Sequence, residues 1–285
     1  MAVRAIVVGG TNGIGYGMAC RVAAEIKPAT VIISGRTKPQ NIPHANIEFR
    51  RLDATSMRSI KQYTDNFKSE PDGNLDFLIM TQGVMTVAGR TETPDGIDRK
   101  MALHYYGKQL LIRELIPALK EDAKVIIVFD GIYGNPAKLD WEDLDLKKNF
   151  SLGKSANHCM VMNDAMVQFY AAEQQRKGTG ARHFVHAWPG AVNSSLFREL
   201  PWYLQPVLRV AGGLIGISVD TCAEQLLGGV SKCTAAGQVE ERFWSNIDNK
   251  GRLVAKKTIW TEEQMKKIAD HTWGLVDRAI ESSPE

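Results

Sequence analysis

The chain has 285 residues, with 35 Lys and Arg against 32 Asp and Glu and a formal net charge of +3. That length suits one large α/β domain with a sizeable core, and near-balanced charge with scattered basic residues offers no track for a phosphate backbone, so no nucleic-acid partner is expected. The four cysteines, Cys20, Cys159, Cys222 and Cys233, show no C-x-x-C or metal-ligand spacing, so no metal is expected and they read as reduced thiols of a cytoplasmic protein.

Ala5–Val8 is a short apolar run that ends in Gly9 and Gly10, and an amphipathic pattern follows from about Ile14 to Ile26. This is the pattern of strand, tight turn and helix. Helix-start amides and the helix dipole form a ready anion site, and the usual anion there is a phosphate. Thr11, Asn12, Gly13, Ile14 and Gly15 make up that turn. The run begins within a few residues of Met1, which predicts no signal peptide. No apolar run approaches the roughly 18 residues that span a bilayer, so no transmembrane segment is expected. Thr30–Ser34 is a second strand and completes a parallel βαβ unit. In a doubly wound sheet the residue ending that strand lies beside the adenosine ribose. An acid there suits a free 2′-hydroxyl. Arg36 offers a cation to a 2′-phosphate, which predicts NADP(H); the plain alternative is a solvated Arg at a strand end.

A third strand, Ile47–Leu52, ends at Asp53. A helix over Ser56–Phe67 and a fourth strand, Leu75–Met80, follow. Asp53 also reads as a cap for that helix. A loop with Pro94, Asp95 and Gly96 leads to a long helix expected over Ile97–Leu119. His104 within it reads either as a proton shuttle or as a packing histidine. Val125–Phe129 is the fifth strand, followed by Asp130 and Tyr133, and Pro136–Phe150 reads as an exposed acidic connection. A helix runs to about Gln175, and His183–Ala187 is the sixth strand, ending in Trp188-Pro189-Gly190. The apolar stretch 197–217, broken by Pro201, Pro206 and Gly212-Gly213, is expected to form a lid over a hydrophobic small-molecule substrate; a membrane-facing or partner-facing surface is the alternative. A helix over Asp220–Val230, a seventh strand Phe243–Ile247, and a capping box at Thr261-Glu262-Glu263-Gln264 opening a helix to about Ile280 complete the chain.

The spacing Gly9, three residues, Gly13, one residue, Gly15 differs from G-x-G-x-x-G. It resembles the T-G-x3-G-x-G loop of the short-chain dehydrogenases/reductases, with Val8 where that family usually has Thr. Later marks are similar in order. Asp53-Ala54 stands at the family's adenine-contacting Asp, and Gln82-Gly83 at its N-N-A-G motif. His104 stands at its helix-kinking Asn, and Asp130 at the Ser that polarises a carbonyl. Pro189, Gly190, Val192 and Ser194 stand at P-G-x-V-x-T. The wider run resembles the retinol-dehydrogenase-type branch and its fungal relatives. The resemblance implies a single-domain α/β doubly wound parallel sheet, the Rossmann fold. It implies an NADP(H) site built from Gly9, Thr11, Asn12, Gly13, Ile14, Gly15, Arg36, Asp53, Ala54, Gln82, Gly83, Pro189, Gly190, Val192 and Ser194. By analogy it also implies a homodimer or tetramer.

One departure stands out. The family's Tyr-x3-Lys pair falls on Asn157 and Val161, or, shifted by one, on Ala156 and Met160. Neither register restores the usual proton route at a carbonyl. Asp130, Tyr133, Asn157, His158 and His104 are the candidate substitutes, each also readable as an ordinary polar residue. An ionised Asp cannot donate a hydrogen bond to a carbonyl, but it can hold a cationic nitrogen. The expected function is an atypical NADPH-dependent reductase of a hydrophobic carbonyl, imine or iminium compound. The alternatives are a redox-silent or isomerase-like descendant of the fold, or a binding protein.

Overall fold

The computed structural model describes residues 2–71, 74–194, 199–203 and 216–282. Seven parallel strands form one sheet in the order β3-β2-β1-β4-β5-β6-β7. They are β1 (Val3–Val8), β2 (Ala29–Gly35), β3 (Ile47–Arg51), β4 (Leu75–Met80), β5 (Leu119–Val128), β6 (His183–Ala187) and β7 (Trp244–Ile247). Among the described residues the α-helices are α1 (Gly13–Glu25), α2 (Met57–Lys68), α3 (Arg99–Met101), α4 (Gly107–Leu115), α5 (Leu152–Lys177), α6 (Val219–Glu240) and α7 (Glu262–Glu281). This is the Rossmann fold that the resemblance implied.

Central strands bury both faces, so they read as continuous apolar runs. Their side chains still divide by the period of two. Ile6, Val8, Ile32, Leu78, Met80, Val125 and Ile127 pack with α2, α4, α5 and α7 on one face. Ala5, Val7, Val31, Ile33, Ile79, Ile126 and Val128 pack with α1 and α6 on the other. Each fully buried side chain of this size contributes about 1.5–3 kcal/mol, so both layers are anchored well away from the strand ends, which are left free to build a site.

Helix starts follow hydroxyl and amide caps. Asn12 accepts from Gly13 N, Ser56 from Ser59 N, and Ser151 from Lys154 N. Thr261 and Gln264 form the expected capping box. Asp53 is therefore not the α2 cap; its Oδ1 closes a turn on the amide and hydroxyl of Thr55.

Three expectations need correction. The single helix over Ile97–Leu119 is instead α3, a π-helical segment Ala102–Tyr106, and α4. Pro117 then closes a 3-10 turn, and β5 begins at Leu119, six residues early, because Leu119 pairs with Leu75. The 136–150 connection is not simply exposed. Leu139, Leu144 and Leu146 are buried, and Asp143 accepts the amides of Lys147, Lys148 and Asn149. The helix after the apolar stretch extends to Glu240, ten residues further than its periodicity indicated. Most of the expected lid over 197–217 lies outside the described residues.

Candidate active site

In an open parallel sheet, ligands sit beyond the carboxyl ends of the strands, where the strand order reverses. Here the reversal lies between β1 and β4, and a cleft of about 540 Å³ opens above it. From β2 to β5 is three strand spacings, about 14 Å, so the cleft runs from the β2 end to the β5 end as an elongated groove.

The β1–α1 turn forms one wall. Gly9 has φ +79°, and a Cβ there would lie 2.7 Å from Gln82 N. A Cβ on Gly15 would lie 2.2 Å from Thr81 Oγ1. Only glycine lets these segments approach so closely. The N-terminus of α1 is thereby aimed along the cleft. Gly9, Thr11, Asn12, Gly13, Ile14, Gly15, Arg36, Asp53, Ala54, Gln82, Gly83, Pro189 and Ser194 all line it. Gly190 and Val192 do not: Gly190 turns at φ +69° against Asn249, and Val192 bridges Ile217.

Two observations fit a dinucleotide. Arg36 is exposed on the cleft at the end of β2 and has no ion-pair or hydrogen-bond partner among the described residues. Gln82 is only 7% exposed, yet both its amide oxygen and nitrogen lack a partner. Buried polar atoms are rarely left unpaired without reason, and the Gln82 amide faces the cleft that a cofactor would fill.

At the β5 end, Asp130 and His104 line the cleft. Asp130 Oδ1 accepts the amides of Ile132 and Tyr133, each at 2.9 Å. His104 Nε2 accepts from Val84 N at 3.0 Å. Burial, reinforced by the charges of Lys108 and Lys100, pushes its pKa down to about 3, so His104 is a neutral imidazole. It sits in the π-helical segment, where its carbonyl accepts from Asn163 Nδ2 at 3.0 Å. π-Bulges of this kind recur at functional sites.

The other three proton-relay candidates lie elsewhere. Tyr133 is 65% exposed and packs edge-to-face on Trp188. Asn157 is spent on the backbone of Asn135, accepting at 2.8 Å and donating at 3.1 Å. His158 is fully buried and ties α5 to the 136–150 segment, with Nε2 accepting from Asp140 N and Nδ1 donating to the Leu144 carbonyl. The face of α5 that meets the cleft is Leu152, Ser155, Ala156 and Met160. The register that matters is thus Ala156 and Met160. Val161, the alternative, is in the core. None of the seven tyrosines is followed four residues later by Lys.

Sequence reasoning missed Arg99, which forms a two-pronged ion pair with Glu199 across the cleft mouth, at 2.7 and 2.8 Å. It also missed Lys108, whose Nζ is fully buried and donates to the carbonyls of Met80 and Val128 at the ends of β4 and β5. Asp98, capping α3, was the available signal for the first. For the second, the only signal was a Lys four residues after His104 on an otherwise apolar helix face.

Residues 4–131 match the family model for short chain dehydrogenases. An oxidoreductase, AN1596, of Emericella nidulans is 31% identical over 207 residues, covering 68% of this chain and 60% of its own. Retinol dehydrogenase 12 of Bos taurus is 30% identical, covering 64% and 55% respectively. The chain thus spans little more than half the length of these relatives. A short-chain dehydrogenase/reductase from Burkholderia multivorans, solved with bound NADP, superimposes with a TM-score of 0.58 at 16% identity, covering 88% of this chain and 98% of that one. With its sheet order, its glycine turn and its match to the family model over residues 4–131, the chain belongs to the short-chain dehydrogenase/reductase family.

Proposed function

We propose that the chain is an NADP(H)-dependent reductase of a hydrophobic small molecule carrying a carbonyl or an imine or iminium group. Arg36 carries the cofactor reading. It is a guanidinium without a partner among the described residues, at the end of β2 on the cleft, where an acid would be needed to favour a free ribose hydroxyl. The α1 amides and the glycine turn would hold the pyrophosphate, and the Gln82 amide would meet the ribose–nicotinamide half. When bound, the reduced nicotinamide supplies a hydride. The protein's part is to orient the acceptor against it and to keep water out. Leu103, Phe129, Leu152, Met160 and Trp188 supply apolar walls suited to a hydrophobic acceptor. Assembly as a homodimer or tetramer and a cytoplasmic location belong to the same proposal.

A second reading, a redox-silent descendant, is favoured by Ala156 and Met160, which place no acid on the α5 wall. Fluorescence titration with NADPH and NADH, repeated on Arg36→Ala, tests the first reading. NADPH is expected to bind more tightly than NADH, and the substitution to weaken NADPH by about tenfold or more through loss of one charge-assisted contact. Equal binding of the two nucleotides, unchanged by the substitution, refutes NADP(H) preference. Nucleotide binding without turnover of any carbonyl or iminium compound supports the second reading.

A further inference from the structure

Asp130 stands in an unusual setting, and the inference drawn from it rests on the reductase reading above. Its Oδ1 is occupied by two backbone amides. Its Oδ2 has no partner, and the side chain has no ion pair among the described residues, although it lines a cleft with apolar walls. Asp130 is half-buried, and the two amides compensate only one of its oxygens, so the carboxylate still favours a cation beside Oδ2.

The turn that carries Asp130 is locked from behind. The Gly131 carbonyl accepts from Asn246 Nδ2 at 2.9 Å, and a Cβ on Gly131 would lie 2.7 Å from the His186 carbonyl. Asn246 also donates to Asp164 Oδ1, which takes the Nδ1 proton of His186 at 2.6 Å. Lys257 pairs with Asp164 Oδ2 at 2.5 Å. This network is buried and places its own cation, Lys257, on Asp164 and not on Asp130. The Phe129 ring, next to Asp130 in the chain, lies against His104 and His186, with ring centroids 4.7 and 6.5 Å away.

Acids are scarce around it. His104 has its Nε2 turned to the Val84 amide, and Lys100 is spent on the Gly89 carbonyl and on Asp98. Ala156 and Met160 bring neither hydroxyl nor ammonium. A ketone that accepts a hydride becomes an alkoxide and must be given a proton; among the described residues the α5 wall offers only the weakly acidic Ser155 hydroxyl.

We propose that the substrate is a hydrophobic iminium ion whose positive nitrogen is held by the Asp130 carboxylate. With the reduced nicotinamide bound, the iminium carbon would accept its hydride: a C–H bond of the dihydronicotinamide ring breaks and a C–H bond forms on the substrate carbon. The C=N π pair becomes the nitrogen lone pair, the product is a neutral tertiary amine, and the nicotinamide is left oxidised and cationic. Charge and electrons balance with no proton transferred. The attraction to Asp130 ends as the positive charge leaves the substrate, which favours release.

Calorimetric titration of the protein with NADP⁺, and then of the loaded protein with two probes of one bicyclic skeleton, tests this without turnover. The probes are the 2-methyl-3,4-dihydroisoquinolinium cation and neutral 2-tetralone. The cation is expected to bind at least about tenfold more tightly than the ketone. Asp130→Asn keeps an oxygen for the two amides and is expected to abolish that preference while leaving 2-tetralone binding unchanged. Equal binding of the two probes to the wild type, absent binding of the cation, or full retention of cation binding by Asp130→Asn overturns the inference, and the wild-type comparison decides even if the variant fails to fold. Loss of NADP⁺ binding itself overturns the reductase reading and this inference with it. Normal NADP⁺ binding without cation preference overturns only the latter.

Discussion

The Lys108 ammonium has left water for the floor between β4 and β5, where two carbonyls receive it at 3.3 and 2.9 Å. Burial pushes its pKa down to about 7 from an ordinary 10.5. Between those values the unfolded chain binds a proton that the folded chain does not, so stability rises with pH across the window, and below pH 7 the folded state carries the whole cost of a buried charge. Lys108→Met removes that cost but leaves two carbonyls without a donor. The net expectation is a variant about 1–3 kcal/mol more stable at pH 6–7, with the gain shrinking towards pH 10. Denaturant titrations at several pH values check it; a variant less stable throughout would show that the two carbonyl contacts outweigh the desolvation. Only its place four residues after His104, on an otherwise apolar helix face, marks this residue in the sequence. The residues that line the cleft were more legible, because glycine spacing and strand-end positions report backbone geometry directly. Asp130 lies on the cleft as its position indicated, whereas Tyr133 and His158 lie off it, because burial and loop direction depend on the distant segments that meet them.

On α5 the difference between two readings is one residue, or about 100° of helix rotation. The pair Asn157 and Val161 has the right spacing but points at Asn135 and the core. Ala156 and Met160 share a face with Leu152 and Ser155 and meet the cleft. Periodicity shows that α5 is a helix and gives its length; its long, nearly all-round burial leaves the apolar pattern too uniform to fix which face meets the ligand. The same applies to the 99–115 stretch, where helical spacing was visible but the π segment, fixed by Asn163 reaching His104 from α5, was not. The register has a functional consequence. Ala156→Tyr with Met160→Lys would install an acid and a cation facing the cleft, and the double variant is expected to reduce 2-tetralone about 10²–10⁴-fold faster than the parent. Asn157→Tyr with Val161→Lys should give no gain and should unfold the protein by burying an unpaired lysine in the core. Initial rates with NADPH, beside circular dichroism of both variants, separate the two registers; gain from the second pair alone would overturn the placement of α5.

Among the described residues, the layers that flank the sheet bury most of their side chains, and the histidines record this. Of the six in the sequence, His104, His158, His183 and His271 all have their pKa lowered, in each case chiefly by burial. They come from the π segment, α5, β6 and α7, so the depression is a property of the packed layers and of no single loop. For each, the unfolded chain takes up a proton as pH falls through about 6.5, while the folded chain resists until its own lower value. The stabilisation is therefore fully present above pH 6.5 and is lost as pH falls towards the folded values. His183 makes the case measurable. It is fully buried, its pKa is pushed down to about 4, and its Nε2 pairs with Ser245 Oγ at 2.9 Å. By linkage it costs roughly 3 kcal/mol of stability between pH 7 and pH 4. The wild type should lose thermal stability steeply below about pH 6. His183→Gln, which keeps a polar group towards Ser245 but cannot be protonated, should lose less by a similar amount. Parallel pH dependences for the two proteins from 7 to 4 would show that His183 does not hold out against protonation, and that acid lability of this fold has its source in carboxylate pairs such as Glu70 with Arg50 and Arg4.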